Sequence, residues 1–183
     1  MSDDGERADD PAASDDTDAT PLIEPATDDD LPALVSAWIA LAGEQEAYGS
    51  HIRPEENREA IRDVLLAHTF DDDLLVARID DAIAGFASVS MENGLFELDV
   101  ARGRLSNLYV TPAHRGRGIG TALLEAAEDR LRAEGADVLS LEAMADNADA
   151  RRFYRANGYH ETRVTMERRL EDRGNDTHSK EER

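Results

Sequence analysis

The twenty residues from Leu105 to Leu124 constrain the fold of this chain more than any other stretch. Leu105 to Val110 is apolar and β-favouring, and Pro112, which cannot extend a ladder, ends it. Arg115-Gly116-Arg117-Gly118-Ile119-Gly120 follows at once. Beyond it Ile119, Leu123, Ala127 and Leu131 recur every four residues, the spacing of an amphipathic helix that runs to about Glu134. Gly135 is placed to cap that helix, and Val138 to Leu141 reads as a further strand. Strand, loop, helix and strand in this order form a crossover unit, which predicts a parallel strand pair.

The loop of that unit has the makings of an anion site. Glycines let consecutive backbone N–H groups close around a phosphate without interference from Cβ, and the dipole of the following helix adds to the attraction. Arg115 and Arg117 offer charge-assisted donors, each worth about 1.5–3 kcal/mol when well formed. A P-loop would need Gly-x-x-x-x-Gly-Lys-Ser/Thr, and the only lysine is Lys180. A dinucleotide fingerprint would need Gly-x-Gly-x-x-Gly after a first strand; here the pattern is Gly-x-Gly-x-Gly after a fourth. What fits is Arg-x-x-Gly-x-Gly, as Arg115, Gly118 and Gly120. Downstream stands Asn147-x-x-Ala150-x-x-Phe153-Tyr154-x-x-x-Gly158-Tyr159. In this order and at this separation, the two motifs resemble the coenzyme A loop and the downstream helix of the GNAT superfamily of N-acetyltransferases. The resemblance covers roughly Leu22 to Leu170.

Composition bounds the rest. The chain has 183 residues and no internal repeat, which predicts one domain with room for a core. No run approaches the roughly 18 apolar residues of a membrane-spanning helix, and the acidic start is unlike a signal peptide, so a cytoplasmic location is expected. Without cysteine there is no disulfide, thiolate ligand or acyl-cysteine chemistry, and His51, His68, His114, His160 and His178 lack metal-site spacing; no metal is expected. The net charge of −21, from 41 acids against 20 bases, argues against nucleic acid and anionic membranes as partners. Nearly all the bases are Arg, an acidic, lysine-poor mix that suggests a salt-loving microbe. Molar salt, with a Debye length of about 3 Å, would relieve the self-repulsion.

In chain order, residues 1–20 hold eight acids and one Arg and read as a disordered acidic tail; 171–183 is a polar C-terminal tail, and 21–170 is the domain. Leu22 to Pro25 is a short strand, and Thr27 to Asp30 a capping box for a helix with Leu31, Leu34, Val35, Trp38 and Leu41 on one face. Pro54 opens a second helix with Ile61, Val64 and Leu65 inward. Leu74–Ile79 and Ile83–Met91 are strands joined at Asp80-Asp81. Leu95–Val100 is a short strand or an excursion, and Ala101-Arg102-Gly103 a turn. Tyr159 to Leu170 alternates and reads as the last strand.

The resemblance implies a mixed α/β (α+β) fold: a central twisted sheet of about six to seven strands, flanked by about four helices and splayed between the fourth and fifth strands. It implies direct transfer of the acetyl group of acetyl-CoA to a primary amine in a ternary complex. Arg115, Gly116, Arg117, Gly118, Ile119, Gly120 and Thr121 would hold the pyrophosphate; Leu108, Tyr109 and Val110 would pair with the pantetheine arm; Asn147 would contact the arm or cap its helix. Tyr154 would be the general acid for the departing thiolate, or a core aromatic. The superfamily often places a Glu near the middle of the fourth strand, where Asn107 stands here. Glu97 is the candidate base, with Asp99 and Glu142 behind it. Glu44, Glu46 and Tyr48 are candidate acceptor contacts or a solvated loop. The acceptor is a small-molecule, peptide or protein amine, and the superfamily precedent admits a homodimer. Two other readings stay open: a non-catalytic acyl-CoA sensor on the same fold, and a nucleotide enzyme using the glycine loop.

Overall fold

Five strands and four helices follow one another through the residues that the computed structural model describes, 20–94 and 98–170. In chain order they are β1 (Leu22–Pro25), α1 (Leu31–Glu46), α2 (Arg58–Phe70), β2 (Leu74–Ile79), β3 (Ala82–Met91), β4 (Arg102–Val110), α3 (Ile119–Ala133), β5 (Val138–Leu141) and α4 (Ala148–Ala156). The strands form one sheet in sequence order. β1 to β4 are antiparallel neighbours, and β5 joins β4 in parallel, as the crossover unit predicts.

Alternation along the strands fixes two cores. Leu74, Val76, Phe86 and Tyr109 face one side and pack with Leu31, Leu34 and Val35 of α1 and Ile61 and Leu65 of α2. Leu75, Ala77, Ala87 and Leu105 face the other and pack with Ile119, Leu123, Leu124, Ala127 and Leu131 of α3. A strand buried on both faces carries apolar residues at consecutive positions, as β2 does.

The local signals are met by recognisable geometry. Asp80 and Asp81 both take positive φ, 49° and 63°, the two-residue turn that matches strand twist. The Asp30 carboxylate accepts from the backbone N–H and hydroxyl of Thr27 at 2.9 and 3.0 Å, closing the α1 entry, and from Arg78 at 2.7 and 2.8 Å. At the other end of α3, Ala136 N–H bonds Leu131 O and Gly135 N–H bonds Arg132 O, with Gly135 at φ 95°: a Schellman stop.

Four expectations are corrected. The sheet has five strands among the described residues, fewer than the six to seven implied. Tyr159 to Leu170 is not a strand: it pairs with nothing, and Val164, Met166 and Leu170 are 80, 90 and 74% exposed. Alternation there supplied a pattern but too little apolar surface to dock it. β4 begins at Arg102, so Gly103 is inside a strand and not a turn; a Cβ there would meet Leu131 Cδ1 at 2.6 Å, so this glycine lets α3 lie close. Val64 is half exposed rather than inward. Of the Leu95–Val100 stretch, 95–97 lie outside the described residues and 98–100 form no strand; both tails, 1–19 and 171–183, lie outside as well. No helix among the described residues is long and apolar enough to cross a membrane.

Candidate active site

Pairing between β4 and β5 runs from Arg102–Val138 to Leu105–Leu141 and stops. β4 continues alone on that side to Val110, which leaves an open edge over Ser106 to Val110, the expected splay. Thr111 N–H donates to Ala84 O at 2.8 Å, toward β3. By strand alternation Tyr109 and Asn107 share that direction, and Leu108 and Val110 turn their N–H and C=O groups to the open edge. A bulge sets this phase: Ser88 pairs with Asn107 but Val89 with Leu105, so Ser106 is the extra residue.

The chain leaves the edge through a short turn at Pro112–His114 and enters the glycine loop. Gly116 and Gly118 adopt φ of 76° and 79°, conformations that L side chains avoid. Gly118 is the N-cap of α3, and its carbonyl takes the first helical bond, from Ala122 N–H at 3.0 Å. The N–H groups of Gly118, Ile119, Gly120 and Thr121 therefore have no helical acceptor, and they converge at the positive end of a fifteen-residue helix. Ile119, 1% exposed, pins the loop to the core.

Helix α4 closes the site from a third side. A Cβ at Gly120 would lie 3.5 Å from the Phe153 ring and 3.8 Å from Val110 Cγ2, so loop, strand end and α4 meet there. Tyr154 packs edge-on against Phe153 and Tyr159, with ring centroids 5.2 and 5.9 Å away. Burial pushes its phenol up to about 12, so it stays protonated through the physiological range. Tyr159 donates to Glu128 at 2.7 Å, which, with burial, raises its own pKa. Asn147 caps α4 by accepting from Ala150 N–H at 3.0 Å, and its amide nitrogen has no partner among the described residues. Phe153 of α4 thus meets the loop at Gly120 and the strand end at Val110, with Tyr154 packed behind it.

The acids do not. Asn107 gives its amide to the fully buried Ser88 Oγ at 2.7 Å, so the fourth-strand position holds a structural hydrogen bond where a base was sought. Asp99 precedes β4, at the end of the strand away from Val110; the eight intervening steps span about 26 Å. Glu142 is exposed and pairs with Arg104 at 3.7 Å. Glu97 lies outside the described residues.

One grouping is new. Arg115 does not stand free at the loop: its Nη2 donates to both oxygens of Glu44 at 2.7 and 2.8 Å, its Nε donates to Val110 O at 2.9 Å, and its guanidinium carbon sits 5.5 Å from the Tyr109 ring centre. Burial, then the Glu44 carboxylate, raises the Tyr109 phenol above its ordinary pKa. Seventy-one residues separate Glu44 from Arg115, and no local pattern announces the contact.

Residues 37–159 match the family described as Acetyltransferase (GNAT) family. The chain is 35% identical over 125 residues to mycothiol acetyltransferase of Beutenbergia cavernae, covering 67% of this chain and 40% of that protein. It is 30% identical over 123 residues to aminoalkylphosphonate N-acetyltransferase of Salmonella typhimurium, covering 65% and 78%. The chain thus spans about two fifths of the length of the mycothiol acetyltransferases it matches. In three dimensions it resembles a GCN5-related N-acetyltransferase from Ralstonia eutropha, with a TM-score of 0.67 at 24% identity over 81% of this chain and 98% of that one, a likeness of fold. Family match, relatives and splayed sheet agree, and the chain belongs to the GNAT family of acetyltransferases.

Proposed function

We propose that this protein moves the acetyl group of acetyl-CoA to a primary amine by direct transfer in a ternary complex. The observation that carries the reading is the meeting of an open strand edge and an unpaired helix N-terminus at Phe153 of α4, whose neighbour Tyr154 is protonated. Backbone N–H groups of Gly118 to Thr121 bind the pyrophosphate, with Gly116 and Arg117 completing the loop. The N–H groups of Leu108 and Val110 pair with the pantetheine arm, and one of them polarises the thioester carbonyl. The Asn147 amide steadies the arm. As the amine nitrogen bonds the carbonyl carbon and the carbon–sulfur bond breaks, Tyr154 gives its proton to the sulfur.

A lysine-like amine, pKa near 10.4, costs about 4.6 kcal/mol to deprotonate at pH 7. Glu97, acting through water, is the candidate base. The names of the relatives favour a small polar amine as acceptor; mycothiol, aminoalkylphosphonate and aminoglycoside acetyltransferases are among them. A cytoplasmic, salt-adapted protein accords with the charge of −21. The exposed Val164 and Met166, and a β5 that has a single strand partner among the described residues, support a homodimer.

Calorimetric titration in molar KCl with acetyl-CoA, ATP and NAD tests the binding half. Micromolar binding of acetyl-CoA alone is expected, and its absence in folded protein would remove the transferase reading. Asn107 in the base position favours one rival, an acyl-CoA sensor. Thiol release on incubation with a panel of amines separates the two.

A further inference from the structure

A second group of charged side chains sits on β4, before its open edge begins. Glu92 stands between two arginines there. Its Oε1 accepts from Arg104 Nε and from Ser140 Oγ, each at 3.0 Å. Its Oε2 lies 3.1 Å from Arg102 Nε without being in line with that N–H, which is buried and has no hydrogen-bond partner among the described residues. Gly103 and Leu105 turn to α3, so Arg102 and Arg104 project from the other face of the sheet. Asn107 projects from that face too: its partner Ser88 stands opposite Leu74, which packs toward α1 and α2. The bulge at Ser106 is what brings Arg104 and Asn107, an odd number of residues apart, onto one face.

This patch has donors to spare. Arg104 is 46% exposed, and its Nη1 meets only the 85% exposed Glu142 at 3.7 Å, too long for a hydrogen bond. One partly buried carboxylate between two guanidiniums leaves positive charge unanswered, and guanidinium forks suit carboxylate and phosphonate oxygens. From Arg104 to Leu108 the strand advances about 13 Å, part of which the arginine side chain spans. A short molecule with an acid at one end and an amine at the other bridges the remainder, past Asn107, to the edge. We propose that Arg102 and Arg104 hold an acidic group of the acceptor, so that the substrate is a primary amine carrying a carboxylate or phosphonate a few bonds away. The inference rests on the acetyl-CoA reading above and names its acceptor class. On a chain of net charge −21, such an acid needs a local cationic patch to be held at all.

Binding, read apart from turnover, is the test. β-Alanine, aminoethylphosphonate and the neutral isostere β-alaninamide are titrated calorimetrically into the full chain saturated with coenzyme A, at fixed KCl. At least one of the acids should bind about tenfold or more tighter than the amide, the order of charge-assisted hydrogen bonds. Which acid is the tighter tells a planar from a tetrahedral group. Arg104→Met and Arg102→Met should each cut that preference about threefold or more, with the Kd of coenzyme A and of the amide unchanged. Arg62→Met, an exposed arginine of α2, removes the same charge and should keep the preference. Equal binding of acids and amide, a preference that survives both β4 variants, or an equal loss in Arg62→Met would each overturn the assignment. Failure of wild type to bind coenzyme A would instead remove the acetyl-CoA reading itself. A thermal melt of each variant shows that the comparison is between folded proteins.

Discussion

Two stretches of this chain carry a strand-like pattern, and only one of them is a strand. Leu105 to Val110 lies within β4, pairs with β3 along its length and puts Leu105 and Tyr109 into opposite cores at 3 and 5% exposure. Tyr159 to Leu170 alternates as regularly, yet past Tyr159 it is held by side chains alone: Glu161 to Arg151 and Arg155, and Glu167 to His51. The difference lies in what surrounds each pattern. β4 has a helix on either face and a neighbour to pair with; the C-terminal stretch offers Val164 and Met166 to water. Period-two alternation describes a surface that could be buried, and only a partner buries it.

The sharpest break of this contrast is Leu123→Ala, which empties the core under the loop and should cost about 2–5 kcal/mol by denaturant unfolding. Val164→Ser, at the same apolar-to-small level of insult, should fall within about 0.5 kcal/mol. Equal losses would mean that the C-terminal stretch is docked in solution. Next comes Tyr154→Phe, expected to lower turnover about 10²-fold with acetyl-CoA affinity kept. Turnover within a few-fold of wild type would return this ring to the core alongside Phe153. Because the phenol stays protonated to about 12, the rate profile of the wild type should show no Tyr154 limb below pH 10.

Gly118→Ala meets no neighbouring atom, so its penalty is the positive φ alone, about 1–2 kcal/mol. Roughly tenfold weaker coenzyme A binding is expected, with a cooperative melt only a few degrees lower; undiminished affinity would refute the cradle. The smallest effect concerns Glu161. Hydrogen bonds from Arg155 and Arg151 hold its carboxyl at about 2, below the ordinary 4.5. A depressed carboxyl stabilises above its unfolded value, and that contribution fades as pH falls from 4.5 toward 2. Glu161→Gln should therefore flatten a small part of the acid limb of stability, read by chemical denaturation across that window.

The crossover unit was legible because its signals are local and agree: proline after the strand, glycines before the helix, four-residue apolar spacing, glycine after it. The parallel pair and the splay follow from that order. Gly103 was misread as a turn because its reason for being glycine, the Leu131 side chain pressed against it, is nearly thirty residues away. The Glu44–Arg115 contact escaped for the same cause, although Glu44 itself stood out as an acceptor-side acid. Loop, open edge and α4 meet at Gly120, Val110 and Phe153, next to Tyr154, whereas the fourth-strand position holds Asn107, which spends its amide on Ser88, and Glu97 lies outside the described residues.

The cations beside the loop are guanidinium groups, Arg115 and Arg117, and the single side-chain amine in the whole chain is Lys180. A guanidinium stays protonated at any pH the fold survives, so it attracts phosphate without offering a lone pair to an activated acyl group. On the acetyl-transfer proposal, arginine in these places leaves a thioester almost no side-chain amine on the protein's own surface to acylate.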